Sequence, residues 1–152
     1  MDIVFVSKLG TILSSETYRH LPSRLEVESV LLSEMSKFGN LHRWEQIGIA
    51  NLVRWFPNPD VKRSFCRNGT ELLLETNDWA FVLSTLAKTS IWTLPSKVFQ
   101  RLEDRIPLLN QTELMDALFY LTQASSAVYS SKPCMLFKQI KHLQREALNM
   151  VI

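Results

Sequence analysis

The chain is short of the residues that mark several kinds of site. Its two cysteines, Cys66 and Cys134, lie far apart with no CxxC pairing. Neither a zinc ribbon nor a small disulfide framework is therefore indicated, and a reduced compartment fits. The four glycines, Gly10, Gly39, Gly48 and Gly69, are scattered, and no GxGxxG, GxxxxGKS/T, GxSxG or HExxH occurs. A phosphate-cradling loop and a nucleophile elbow are both excluded. No apolar run approaches the roughly 18 residues of a spanning helix. The opening MDIVFVSKLG has an acidic second residue and no basic stretch, so no secretory signal or other targeting segment is visible.

Charge of either sign is also sparse in excess. Seventeen Lys and Arg face 15 Asp and Glu, a formal net charge of +2. That is too little to declare a nucleic-acid binder. His20, His42 and His142 have no cysteine or carboxylate at metal-ligand spacing, so they are expected in turns or on the surface. Glu103 and Asp104 form the one carboxylate pair of interest. Lys97, Arg101 and Arg105 surround it, which predicts local ion pairing rather than acid and base chemistry. The expectation is a non-enzymatic protein with no cofactor, no metal and no small-molecule substrate. Asn68-Gly69-Thr70 and Asn110-Gln111-Thr112 match the glycosylation pattern, but without a secretory signal they are expected to be a turn and a helix cap.

What is present is apolar side chains at helical spacing. Of the 152 residues 46% are hydrophobic, enough for a core, since a chain of this size buries about two thirds of its unfolded surface. In DWAFVLSTLAKTS, residues 78–90, Trp79, Phe81, Val82, Leu83 and Leu86 fall on one face of a helix. No comparable stretch alternates with period two. The pattern predicts an all-α chain with helices near 2–13, 24–38, 42–56, 77–90, 95–106, 111–125 and 133–149, and a short one near 69–75. Asn77, Pro95-Ser96 and Asn110 or Thr112 mark helix starts, and Pro107 marks an end. The stretch 56–70, with two prolines and a basic run, is expected to be a loop or insertion.

Four segments align: VSKLG at 6–10, MSKFG at 35–39, LAKTS at 86–90 and LTQAS at 121–125 place Lys8, Lys37, Lys88 and Gln123 in one column, at intervals of 29, 51 and 35. A 35-residue unit then gives a partial repeat at 1–25, units at 26–60, 77–111 and 112–146, and an insertion at 61–76, all within one helical-repeat domain, 1–152. Each unit is expected to be a helical hairpin that must stack on its neighbours to bury its apolar face. The expected architecture is a stack of antiparallel helical hairpins, a short α-solenoid. The tryptophans, Trp44, Trp55, Trp79 and Trp92, are expected to pack between hairpins.

The segment VESVLLSEMSKFGNLHRWEQIGIANLVRWFPNPDV, residues 27–61, resembles a degenerate pentatricopeptide repeat through Lys37, Gly39 and the closing Pro59-Asp60-Val61. The 86–125 stretch is similar in the same measure to the octotricopeptide and heptatricopeptide repeats of organellar RNA proteins, the latter as in FAST-kinase-like proteins. The resemblance implies a non-enzymatic, RNA-associated protein of the mitochondrial or another organellar matrix. In such repeats a polar residue on the inner helix, with one at the unit boundary, reads a base. Here the inner position falls on Ser29, Ala80 and Met115, and the first boundary on Asp60. Ser29 and Asp60 could read a base, whereas Ala80 and Met115 lack the groups to do so.

Contact with RNA is expected instead from two basic islands. Arg54, Lys62, Arg63 and Arg67 oppose only Asp60 in 51–70, and Lys132, Lys138, Lys141 and Arg145 oppose only Glu146 in 126–152. On the last helix Lys138, Lys141, His142 and Arg145 share one face, with Leu136, Ile140, Leu143 and Ala147 on another. The expected partners are RNA, ribosomal RNA first, and the proteins of a large complex, with no membrane. Solvated helix faces would look the same. A protein-interaction scaffold or an assembly subunit without RNA contact is the alternative.

Overall fold

A computed structural model describes residues 1–56, 58–89, 93–129 and 135–152. Among these every regular element is helical: α1 Ile3–Ile12, α2 Ser15–Arg19, α3 Arg24–Glu34, α4 Arg43–Trp55, α5 Pro59–Glu75, α6 Trp79–Ala87, α7 Ser96–Arg105, α8 Gln111–Tyr129 and α9 Met135–Val151, with 3-10 turns at Met35–Asn40 and Ile106–Leu108. None is long and apolar enough to cross a membrane. The chain forms two compact units, Met1–Gly69 and Thr70–Ile152, and the division falls inside the stretch 61–76 that the repeat spacing sets apart.

In the first unit α1 lies along α4. The contact is made backbone to backbone at two glycines. A Cβ on Gly48 would sit 2.1 Å from the Ser7 carbonyl oxygen, and one on Gly10 would sit 1.9 Å from that of Gly48. Helices normally stay about 8–10 Å apart because side chains stand between them. Here the side chains are missing, and the polar groups left at the crossing are satisfied locally. Ser7 Oγ donates to the Val4 carbonyl at 2.6 Å, and Asn51 Nδ2 donates to that of Gly10 at 3.2 Å. The VSKLG glycine is thus part of a helix crossing and not a turn. Neither Gly10 nor Gly39 has positive φ, so neither supplies the left-handed turn that a helix-ending glycine usually provides. The aligned column itself meets unlike settings: Lys37 lies in a 3-10 turn, Lys88 caps α6, and Gln123 sits inside α8.

Most of the expected loop at 56–70 belongs instead to a 17-residue helix, α5, whose last turns contain the short helix expected near 69–75. Pro59 occupies its first position, where the missing N–H is not needed, and Asn58 Oδ1 accepts from the Asp60 N–H at 2.8 Å. Val61, Phe65, Gly69 and Leu73, each four residues apart, are all buried. Gly69 breaks the visible apolar stripe without breaking the helix. Asn68-Gly69-Thr70 is therefore helical and not a turn, and Asn68 Nδ2 donates back to the Ser64 carbonyl at 2.8 Å.

In the second unit α8 packs against both α6 and α9. All nine residues of α6 are buried, Ser84 and Thr85 included. A single inward face was expected, but a helix apolar on every side belongs in the interior. Thr85 needs no outside partner, because its hydroxyl donates to the Val82 carbonyl at 2.7 Å. The start of α8 is capped reciprocally: the Glu113 N–H donates to Asn110 Oδ1 at 2.9 Å, and the Asn110 N–H to Glu113 Oε1 at 3.0 Å. Of the tryptophans, Trp79 is buried and Trp55 half-buried, while Trp44 is 48% exposed, contrary to expectation; Trp92 lies outside the described residues.

Arg105 was expected to pair with its acidic neighbours. Instead its guanidinium donates to the carbonyls at the end of α5: Leu73 at 2.6 Å, Thr76 at 3.1 Å, and Leu74. Those carbonyls have no partner within the helix, and a cation there meets the negative end of its dipole. Burial, and then Arg101, push the guanidinium below its usual pKa, yet it stays charged. Arg105→Met keeps much of the apolar stem and removes the three bonds. We expect it to lower the unfolding free energy by about 2 kcal/mol in urea titration.

Candidate nucleic-acid interface

The first basic island sits on α4 and α5. Arg54, Arg63 and Arg67 are exposed and Lys62 is half-buried. Because α5 is a helix, Arg63 and Arg67 are held on one face, one turn apart. Acidic residues bracket them. Asp60 forms an ion pair with Arg63, and the exposed Glu71 lies one turn beyond Arg67. This surface is therefore of mixed sign and offers less to a phosphate than its composition suggested.

Asp60 is also one of the two candidate base readers. Its carboxylate is engaged by Arg63, while Ser29 is exposed on α3. Of the other inner positions, Ala80 is buried in the core and Met115 is exposed on α8.

The second island is carried by α9. Leu136, Ile140, Leu143 and Ala147 are fully buried, so helical geometry sends Lys138, Lys141 and Arg145 to the opposite side, where all three are exposed. Lys132 lies outside the described residues. Lys141 Nζ donates to Gln144 Oε1 at 3.2 Å. Among the described residues no carboxylate pairs with Lys138, Lys141 or Arg145. This face thus keeps its charge.

The face is also fixed in register by contacts that the sequence did not reveal. Gln139 accepts from the Leu94 N–H at 2.9 Å and donates to the Leu94 carbonyl at 3.2 Å. Gln144 Nε2 donates to Thr122 Oγ1 of α8 at 2.7 Å. His142 does not join the cations. Its Nε2 is 3.4 Å from Glu103 Oε1, and its ring lies 5.7 Å from that of Phe99. Glu103 and Asp104 are thereby accounted for, since Asp104 accepts from Gln100 Nε2 at 3.0 Å. Lys97 and Arg101 pair with neither. Only spacing toward α7 and α8 could have signalled these anchors, and single Gln and His residues carry no such spacing.

Three cations rising from a helix that is pinned at two points can meet phosphates with little loss of backbone freedom. They offer no hydrogen-bond pattern specific to one base. Among the described residues no three of His, Cys, Asp and Glu gather into a metal site. No family model matches the chain, and no curated protein or solved structure shows significant similarity to it, so the reading of this surface rests on its own geometry.

Proposed function

We propose that this protein is a non-enzymatic, RNA-associated protein built as a short stack of helical hairpins, similar in kind to degenerate pentatricopeptide-like proteins, and that it serves as a structural component of the mitochondrial ribosome or another organellar ribonucleoprotein. The observation that carries the RNA contact is the α9 face, with Lys138, Lys141 and Arg145 exposed, unpaired with carboxylates and backed by a fully buried apolar side. With Asp60 held by Arg63 and Ala80 in the core, a modular base code has no complete pair of readers. RNA would be gripped by its backbone, without strong sequence preference. The test is binding of a short single-stranded RNA by the intact chain at increasing salt. Affinity should fall steeply as salt rises.

A second reading, a scaffold for a partner protein, is favoured by one observation. Met115 and Phe119 stand one turn apart on α8 and are 52% and 57% exposed. Such a pair suits an apolar partner surface. The scaffold reading predicts partner capture that salt leaves unchanged.

A further inference from the structure

The first unit contains a cavity of about 720 Å³, within the range of small-molecule sites. Tyr18, Trp55 and Phe56 line it; Tyr18 and Phe56 are buried, and Trp55 is half-buried and offers the accessible aromatic surface. The Tyr18 ring lies 5.9 Å from Trp55 and meets Phe56 edge-on at 5.1 Å. Its charged rim is Arg19 and Arg24, both exposed. Glu28 also lines the cavity, but its carboxylate accepts from Asn58 Nδ2. Among the described residues no carboxylate pairs with either arginine. The rim therefore presents two exposed cations at a cavity that Trp55 also lines.

One further group is unexplained by packing. Tyr18 is 3% exposed, and among the described residues its hydroxyl has no hydrogen-bond partner. Leaving a buried hydroxyl unpaired is destabilising, a cost that a phenylalanine would avoid. Burial chiefly, with the Glu28 charge adding, holds the Tyr18 hydroxyl well above its usual pKa, so it is a proton donor at any physiological pH. The folded state thus binds this proton more tightly than the unfolded chain. Its contribution is complete below about pH 10 and is lost as pH rises beyond that. Stability should fall above pH 10 in the natural chain, and that fall should be smaller in Tyr18→Phe.

We propose that this cavity binds one unstacked nucleotide, its base against the half-buried Trp55 and its phosphate between Arg19 and Arg24, and that binding uncovers the Tyr18 hydroxyl for an acceptor on the base. An aromatic wall accepts the face of any base, paired cations select for an anion tethered to it, and the lone hydroxyl supplies a donor that only a polar ligand would use. The nucleotide could be free or one residue of an RNA strand; only the second source rests on the RNA-associated reading above.

Titration calorimetry on the full chain separates these, using adenosine and uridine 5′-monophosphates in one arm and single-stranded oligoadenylate and oligouridylate in the other. Tyr18→Phe should unfold at a denaturant concentration no lower than the natural chain, yet bind about fivefold to tenfold more weakly. Arg19→Gln with Arg24→Gln should weaken binding about tenfold and flatten its salt dependence. Losses confined to the oligonucleotide arm support a base within RNA. Losses in the monophosphate arm, with no oligonucleotide binding, support a free-nucleotide site and count against the RNA reading alone. Oligonucleotide binding that Lys138→Ala, Lys141→Ala and Arg145→Ala together weaken, but both cavity variants leave unchanged, overturns the cavity proposal and leaves the α9 surface standing. It is equally overturned if the folded natural chain binds neither probe.

Discussion

Gly48→Ala is expected to destabilise the first unit by about 3 kcal/mol, a size reserved for substitutions that force packed elements apart. The sign makes this informative. In an ordinary helix interior, exchanging Gly for Ala restricts the unfolded chain and stabilises by about 0.4–1 kcal/mol. At this position the new methyl would lie 2.1 Å from a backbone carbonyl oxygen, which cannot rotate aside as a side chain could. Gly10→Ala should behave alike, because its methyl meets the Gly48 backbone. The two substitutions should not add. Once the first has parted α1 from α4, the second finds room. Gly39→Ala is the contrast: it is exposed, lies in a 3-10 turn and lacks positive φ, so its effect should stay within about 0.5 kcal/mol. Urea midpoints at unchanged m-values measure all four. A neutral or stabilising Gly48→Ala would contradict the close crossing.

The second large effect is on binding. Replacing Lys138, Lys141 and Arg145 together by Ala should weaken single-stranded RNA binding by at least about tenfold at low salt and reduce the salt slope by about 2, since each phosphate contact contributes about 0.7. Folding should be unaffected, because the three side chains are exposed and the buried face of α9 and its anchors Gln139 and Gln144 stay in place. Arg63→Ala with Arg67→Ala removes two charges from α5, against three from α9. It should change binding less, because Asp60 already compensates Arg63. Equal losses from the two variants would mean that net charge alone, and not the α9 face, attracts RNA.

The parts of the fold legible in the sequence are those where periodicity and polarity agree. The two faces of α9 were visible as a cationic set and an apolar set at helical spacing, and burial divides them in the same way except at His142, which turns toward Glu103 and Phe99. The starts of α7 and α8 were visible because Pro95 and Asn110 act through local backbone chemistry. By contrast, α5 was hidden except for its end, expected as the short helix near 69–75. Pro59 and Gly69 normally signal loops, and it takes a neighbouring surface to turn Val61, Phe65, Gly69 and Leu73 into one buried stripe. Gly10 and Gly48 were likewise unreadable, since their meaning lies in a contact between residues 38 positions apart. Arg105 resembled a partner for Glu103 and Asp104 until the open carbonyls of α5 were placed beside it. The cavity around Tyr18 draws on two separate segments of the chain, and neither signals the other.

Association with RNA inside a larger particle is tested most directly by copurification. The tagged full chain, isolated from cells at moderate salt, should bring down RNA together with proteins; nuclease treatment should release part of that protein set, and the α9 triple variant should recover markedly less RNA. Recovery of proteins alone, unaffected by nuclease and equal for the natural and variant chains, would contradict the RNA role and leave the scaffold reading in its place.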